Sequence, residues 1–263
     1  MTTNATNPVG IIGSGTMGAG IAQTAATAGW TVRLFDIEQS LVHSAVESIS
    51  KRFDRLVEKG QITEEQSNEN KSRIHGTTDV HELVDCDLII EAIVEDFDIK
   101  SKVLTELCEL APDSIIATNT SSLSVNELAH ATGYAARIVG MHFFNPAPIM
   151  PLVEIVSGTQ SAKSAVIRAT LIAEAWGKTV VQASDTPGFI VNRVARPYYL
   201  ESWRIVEDGL ATVDLVDETL QSLGEFRMGP FMLTDLIGQD INVATTRSVW
   251  NRLGQPSRLA PSA

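Results

Sequence analysis

The run VGIIGSGTMGAGIAQTAATAGWTVRLFD, Val9 to Asp36, decides the fold. It opens on Val9-Gly10-Ile11-Ile12, a short apolar stretch that reads as a parallel strand buried on both faces. Gly13-Ser14-Gly15-Thr16-Met17-Gly18 follows at once. An Ala-rich helix former, Ala19 to Ala28, is closed by Gly29, and Thr31 to Phe35 is a second strand ending on Asp36. Strand, Gly-x-Gly-x-x-Gly, helix, strand and acid form a dinucleotide-binding fingerprint in its required context. Gly13 makes the tight turn, Gly15 lets backbone approach a pyrophosphate, and Gly18 lets the helix pack closely on the sheet. The N–H groups at the helix start, those of Thr16 and Met17 included, then face the pyrophosphate with the positive end of the helix dipole. Asp36 is placed to accept hydrogen bonds from ribose hydroxyls, and its charge would repel a 2′-phosphate. The expected cofactor is NAD rather than NADP.

Outward from this unit the chain keeps alternating. A long helical pattern runs from Glu38 to Gly60 and a polar one from Ile62 to Arg73. Strands are expected at Asp87 to Ala92, Ser114 to Thr118, Arg137 to Met141, Leu152 to Val156 and Thr179 to Ala183. Helices are expected at Ile99 to Leu110, Leu123 to Ala131 (capped by Ser122 or Ser124) and Ala162 to Trp176. After Asp185 the periodicity is helical throughout: Ile190 to Gly209, Val213 to Leu223, Phe231 to Ile237 and Ile241 to Trp250, with Thr212 and Asp240 as caps. The tail from Gly254 to Ala263 shows no element character. The fold class is therefore α/β: a Rossmann-type, doubly wound, mostly parallel sheet over residues 1–185, followed by a smaller all-helical domain over 186–263. The many apolar faces of so short a helical domain call for a covering surface, and a homodimer interface is the expected one.

Composition bounds the partners. The chain has 263 residues, 44% of them apolar and 20% charged, as in an ordinary globular protein. A formal charge of −12 argues against a nucleic-acid partner, since a phosphate backbone wants a basic face. Cys86 and Cys108 lie in apolar or helical contexts without metal-ligand spacing and read as reduced thiols of a cytoplasmic protein. The polar start MTTNATNP resembles neither a signal nor a transit peptide, and no apolar run reaches membrane-spanning length. Neither a metal nor a membrane is expected as a partner. On the helix Glu38 to Gly60, Lys51, Arg55 and Lys59 recur every fourth residue with Arg52 beside them. That stripe reads either as a solvated face or as a cradle for a substrate's phosphates.

Chemistry concentrates between Ser121 and Asn192. His142 stands at a strand end beside Phe143 and Phe144. Glu154 sits among aliphatic neighbours in Pro151-Leu152-Val153-Glu154-Ile155-Val156, where an unpaired carboxylate would cost several kcal/mol. An imidazole is its natural partner, and such a pair fixes the tautomer and stabilises imidazolium, as a general acid/base requires. Ser121 and Asn192 could then hold an alcohol or carbonyl oxygen while a hydride leaves the carbon. The plainer readings are a helix N-terminal residue for Ser121 and a helix-face polar residue for Asn192.

Together, GIIGSGTMGAGIAQ, EAIVED, NTSSL, MHFFNPAPIMPLVEIV, DTPGFIVNR and GPFMLTDLIG resemble the L-3-hydroxyacyl-CoA dehydrogenase family over nearly the whole chain. The resemblance implies a reversible NAD-linked conversion of L-3-hydroxyacyl-CoA, a coenzyme A thioester, to 3-oxoacyl-CoA, the oxidoreductase step of β-oxidation in fatty acid metabolism. It makes His142 the acid/base and Glu154 its pair. It also makes Ser121 and Asn192 substrate contacts, and assigns NAD contacts to Asp36, Glu95, Lys100 and Asn145. Arg52 and Lys59 fall where the family approaches the coenzyme A nucleotide, Lys59 being the better match. Two departures stand out. Met232 and Thr234 interrupt the family's GPFELLD pattern, and the family's Gly-Arg-Lys-x-Gly-x-Gly-Phe-Tyr type ending is not met before Ala263, so the helical domain reads as incomplete. A dehydrogenase of a free hydroxy acid, of the L-gulonate type, and a non-catalytic NAD-binding protein are the alternatives on the same fold.

Overall fold

A computed structural model describes residues 7–262, so most of the polar N-terminal stretch, and Ala263, lie outside the described residues. The chain divides between Asp185 and Thr186 into two compact units.

The first unit is built on one eight-stranded sheet ordered β3-β2-β1-β4-β5-β6-β7-β8. Its strands are β1 (Val9–Ile12), β2 (Val32–Phe35), β3 (Ile74–Thr77), β4 (Leu88–Glu91), β5 (Ile115–Thr118), β6 (Ile138–Phe143), β7 (Leu152–Ser157) and β8 (Thr179–Ser184). All neighbours run parallel except β6 and β7. Strand β1 lies between β2 and β4, so the order reverses there, and a crevice opens beyond the carboxyl ends of β1 and β4. The helices are α1 (Thr16–Thr27), α2 (Gln39–Glu58), α3 (Glu64–Ser72), α4 (Phe97–Leu110), α5 (Val125–Thr132) and α6 (Lys163–Ala175). Small residues of α1, among them Ala22, Ala25 and Ala26, are wholly buried against Val9, Ile11, Val32 and Leu34 of the sheet. Trp30, Phe143 and Trp176 extend the same core through edge and tilted ring contacts.

The mostly parallel doubly wound sheet matches the sequence reading, with one strand added. Ile74–Thr77, just beyond the polar helical pattern, has no element assigned from sequence, yet it pairs with β2 as the sheet edge. Its Ile-His-Gly-Thr sequence buries only its first and last residues, too little for an apolar signal. What recruits it is the open hydrogen-bonding edge of β2. Helix α5 takes Ser124 as its N-cap, the Ser124 hydroxyl accepting from Glu127 N–H.

The second unit is helical: α7 (Val191–Glu207), α8 (Val213–Ser222), α9 (Pro230–Ile237) and α10 (Gln239–Arg252). Thr212 caps α8, but Asp240 does not cap α10. Gly238 takes that place with φ +102°, which leaves Asp240 inside the first turn. Asp217 of α8 instead receives the N–H groups of Phe231 and Met232, tying α9 to α8. The tail is also more ordered than expected. Ser257–Leu259 forms a 3-10 turn that buries Leu259 against Leu200 and Val249.

Candidate active site

The Gly-rich turn is shaped by contacts that a side chain would break. Gly13 sits at φ +93°, and a Cβ there would lie 2.7 Å from the Ala92 carbonyl oxygen. A Cβ on Gly18 would come within 1.8 Å of the Gly13 oxygen, so helix and turn can approach only through a glycine. At Gly15 the same construction meets nothing within 4 Å. That glycine borders open space, as a backbone that must receive a pyrophosphate should. Helix α1 starts there without a side-chain cap, leaving its first N–H groups for an anion. The turn opens on a cleft of ≈ 870 Å³ whose walls include Ser14, Thr16, Asp36, Ser48, Arg52 and Val94. Met17 packs partly buried against the core.

Strand register brings Asp36 to this turn. Ile12 pairs with Phe35, and Gly13 N–H donates to the Phe35 carbonyl, so the residue after β2 lies beside the glycines. Asp36 Oδ2 accepts from both Ser14 N–H and Ser14 Oγ at 2.7 Å, and Oδ1 accepts from Ile37 N–H at 2.8 Å. Of the four stripe residues, Arg52 alone lines the cleft, bonded at 3.3 Å to Gln23 Oε1 of α1. Lys51 pairs with Glu47 on the surface, and Lys59 is the exposed C-cap of α2.

Beyond β4 and β5 lies a network organised by carboxylates. Glu91 is fully buried, accepting from Lys100 Nζ at 2.5 Å, Thr118 Oγ1 at 2.7 Å and Ile93 N–H at 2.8 Å. Lys100 is 1% exposed and also pairs with Glu95 at 3.5 Å. Glu95 Oε1 gathers the following loop, accepting from Thr120 Oγ1 at 2.6 Å and from Ser121 N–H, Ser122 N–H and Ser122 Oγ at 2.9 Å. Ser121 Oγ lies 3.4 Å from the same oxygen. Burial alone would push the Glu95 carboxyl up. The Lys100 charge and the hydrogen bonds from Thr120, Ser122 and Ser121 outweigh it and hold the group below the usual glutamate range.

His142 and Glu154 face each other across the antiparallel β6–β7 pair, in direct register. Their side chains meet at 2.6 Å, Nδ1 to Oε2, with the imidazole 6% exposed and the carboxylate wholly buried. Phe144 covers the imidazole with ring centroids 4.6 Å apart. β6 runs through His142 to Phe143 rather than ending before it, because the β7 ladder continues that far. Asn119 was given no role from sequence. Its Oδ1 accepts from Phe143 N–H at 2.9 Å and so ties the β5 loop to the histidine's strand. Asn145 is exposed just beyond. The segment after it is held by Lys178, whose buried Nζ donates to the carbonyls of Ala147 at 2.6 Å and Met150 at 2.9 Å. Burial pushes that ammonium's pKa down. Asn192 belongs to the helical unit, in the first turn of α7.

Both cysteines are buried and unpaired, and burial pushes their thiols up to about 12 for Cys86 and about 11 for Cys108, which leaves them unreactive. Among the described residues no group of histidine, cysteine and carboxylate side chains is placed to hold a metal, and no helix is long and apolar enough to cross a membrane.

The chain is similar to known proteins in sequence and fold. Residues 8–186 match the family model described as 3-hydroxyacyl-CoA dehydrogenase, NAD binding domain, and residues 188–263 match that of the C-terminal domain. A 3-hydroxyadipyl-CoA dehydrogenase of Escherichia coli K12 is 44% identical over 97% of this chain, which spans about half (54%) of that protein's length. A 3-hydroxybutyryl-CoA dehydrogenase of Clostridioides difficile is 40% identical over 93% of this chain and 87% of its own. A crystal structure described as 3-hydroxybutyryl-CoA dehydrogenase from Escherichia coli K12 superposes with a TM-score of 0.95 at 44% identity, covering 97% of this chain and 54% of that one. By sequence and by fold, this chain belongs to the 3-hydroxyacyl-CoA dehydrogenase family, and residues 8–186 match that family's NAD-binding domain.

Proposed function

We propose that this chain interconverts L-3-hydroxyacyl-CoA and 3-oxoacyl-CoA, with His142 as general acid/base. The observation that carries the reading is the buried His142–Glu154 pair at 2.6 Å. A carboxylate on Nδ1 orients the ring, leaves Nε2 as the nitrogen that exchanges a proton, and stabilises the imidazolium that results. Bound NAD supplies the hydride acceptor. In oxidation the hydroxyl proton passes to His142 as the carbon–hydrogen bond breaks, and reduction reverses both transfers. Ser121 and Asn192 hold the reacting oxygen or the thioester carbonyl.

The turn Gly13 to Gly18 and Asp36 hold the dinucleotide, with Asn145 toward its reactive end. Glu95 shapes the Thr120–Ser122 loop that carries Ser121, and Lys100 acts through Glu95. Arg52, already on the cleft wall, and Lys59 approach the coenzyme A phosphates. Exposed side chains crowd the helical unit, Leu210, Leu215, Leu223, Met232 and Leu236 among them, and support a homodimer formed through that unit. The two buried reduced thiols fit a cytoplasmic setting, and the reaction is of the kind that fatty-acid β-oxidation uses.

The test is loss of NADH absorbance with acetoacetyl-CoA, run beside free acetoacetate and an NADPH control. Turnover of the thioester with NADH alone is expected. Turnover of the free acid in its place would move the assignment to hydroxy-acid dehydrogenases, and silence toward every substrate in a protein that still binds NADH would overturn it.

A further inference from the structure

Ser14 fills the variable position between Gly13 and Gly15 and is 7% exposed. Its N–H and its hydroxyl both donate to Asp36 Oδ2, each at 2.7 Å. Ile37 N–H donates to Oδ1 at 2.8 Å. The backbone beneath is fixed as well, Asp36 N–H donating to the Thr77 carbonyl of β3 at 3.3 Å. The two bonds from Ser14 differ in origin. Any residue except proline would bring the N–H to this position, but only a hydroxyl side chain adds the second donor. The second bond is thus the contribution of this serine and not of the glycine-rich turn.

An aspartate side chain turns about two bonds. Asp36 is half-buried on the wall of the cleft, so rotation toward solvent is open to it unless something holds it. Such a rotation would harm the cofactor site twice. The carboxylate would no longer face the ribose hydroxyls, and its charge would no longer stand where a 2′-phosphate has to go. The same wall carries a cation, Arg52, bonded to the neutral acceptors Gln23 Oε1 at 3.3 Å and Ser48 Oγ at 3.4 Å. An arginine near the end of the second strand is what accommodates the 2′-phosphate in NADP-binding sheets of this type. Exclusion of NADP therefore depends on Asp36 keeping its place.

We propose that the Ser14 hydroxyl is a positioning group that locks the Asp36 carboxylate toward the ribose and so sharpens the preference for NAD over NADP. The inference rests on Asp36 as the ribose contact.

The experiment measures Kd for NADH and for NADPH by fluorescence titration in the unaltered protein, Ser14→Ala, Asp36→Ala and the double variant. Ser14→Ala keeps the N–H bond and loses the hydroxyl's. NADH should then bind about two- to tenfold more weakly, the worth of one hydrogen bond. NADPH should bind no more weakly than before, which narrows the preference by the same factor. In the Asp36→Ala background the serine substitution should change neither Kd. A serine that only shapes the turn would weaken both cofactors equally in either background, and that result overturns the proposal. Should Ser14→Ala not fold, Ser14→Gly removes the same hydroxyl and is read in the same way. Full preference for NADH in Asp36→Ala sinks the ribose contact and this inference with it. Loss of preference there, with none in the Ser14 variants, sinks this inference alone.

Discussion

The two units solve the burial problem differently. In the α/β unit one large apolar cluster runs from Val9 and Ile11 in the sheet centre to Trp176 beyond its far strands. Two of its buried carboxylates are paired, Glu91 with Lys100 and Glu154 with His142, while buried Lys178 rests on the carbonyls of Ala147 and Met150. The helical unit buries a small cluster, Leu200, Val249 and Leu259, and leaves Leu223 81% and Leu236 72% exposed. Its buried Arg196, like Lys178 in the first unit, is held by neutral acceptors. A finished core can position chemistry on its own. A unit that leaves large apolar side chains exposed is suited to being covered by a second surface.

That contrast can be broken most decisively at His142. In His142→Gln the amide keeps much of the shape but cannot take a proton, so kcat should fall by about 10²–10⁴-fold. NADH affinity, read by fluorescence titration, should stay within about twofold, because the Gly-rich turn and Asp36 are untouched. Equal losses of turnover and affinity would mean that the histidine supports the cofactor cleft and that the chemistry lies elsewhere.

Much of this unit was legible from simple arguments, and the places where they stopped are instructive. A carboxylate among aliphatic strand residues singled out Glu154, and the partner it required stands opposite it in register. The same argument applied to Glu91, at the end of Leu88-Ile89-Ile90-Glu91, would have pointed to a buried cation; Lys100 lies nine residues on, one face into the next helix. Strand β3 escaped because its polar residues carry no periodic signal and its existence depends on the edge of β2. Capping failed at Asp240 because Gly238, at φ +102°, already terminates α9 and starts α10, a backbone conformation that residue preferences do not announce. Arg196 could not be distinguished from a surface arginine, since its burial depends on the approach of α10 to α7.

A smaller effect sharpens the comparison from the helical side. Leu223→Asp and Leu236→Asp each place a charge at a site exposed in the single chain, where a substitution changes stability by about 0.5 kcal/mol or less. If the helical unit forms a homodimer through these side chains, sedimentation should show dissociation to monomers while circular dichroism retains the helical signal. A dimer indifferent to both charges would place the interface elsewhere.

The smallest expected effect tests whether the carboxylate network of the α/β unit is as compensated as its geometry implies. Glu95 gains more from Lys100 and from its Thr120, Ser122 and Ser121 hydrogen bonds than it loses by burial, so its folded pKa lies below the ordinary glutamate value. A depressed carboxylate contributes its full stabilisation above the unfolded pKa, and the contribution is lost as pH falls through the folded pKa. The Tm difference between the unaltered protein and Glu95→Gln should therefore be largest near neutral pH and should shrink as the pH is brought below the glutamate range. With the Glu95 side chain 34% exposed, solvent screening keeps the difference below about 1 kcal/mol. A difference that is flat with pH would mean that the loop is held by hydrogen bonds that an amide supports equally well, and the charge on Glu95 would then be reserved for the cofactor.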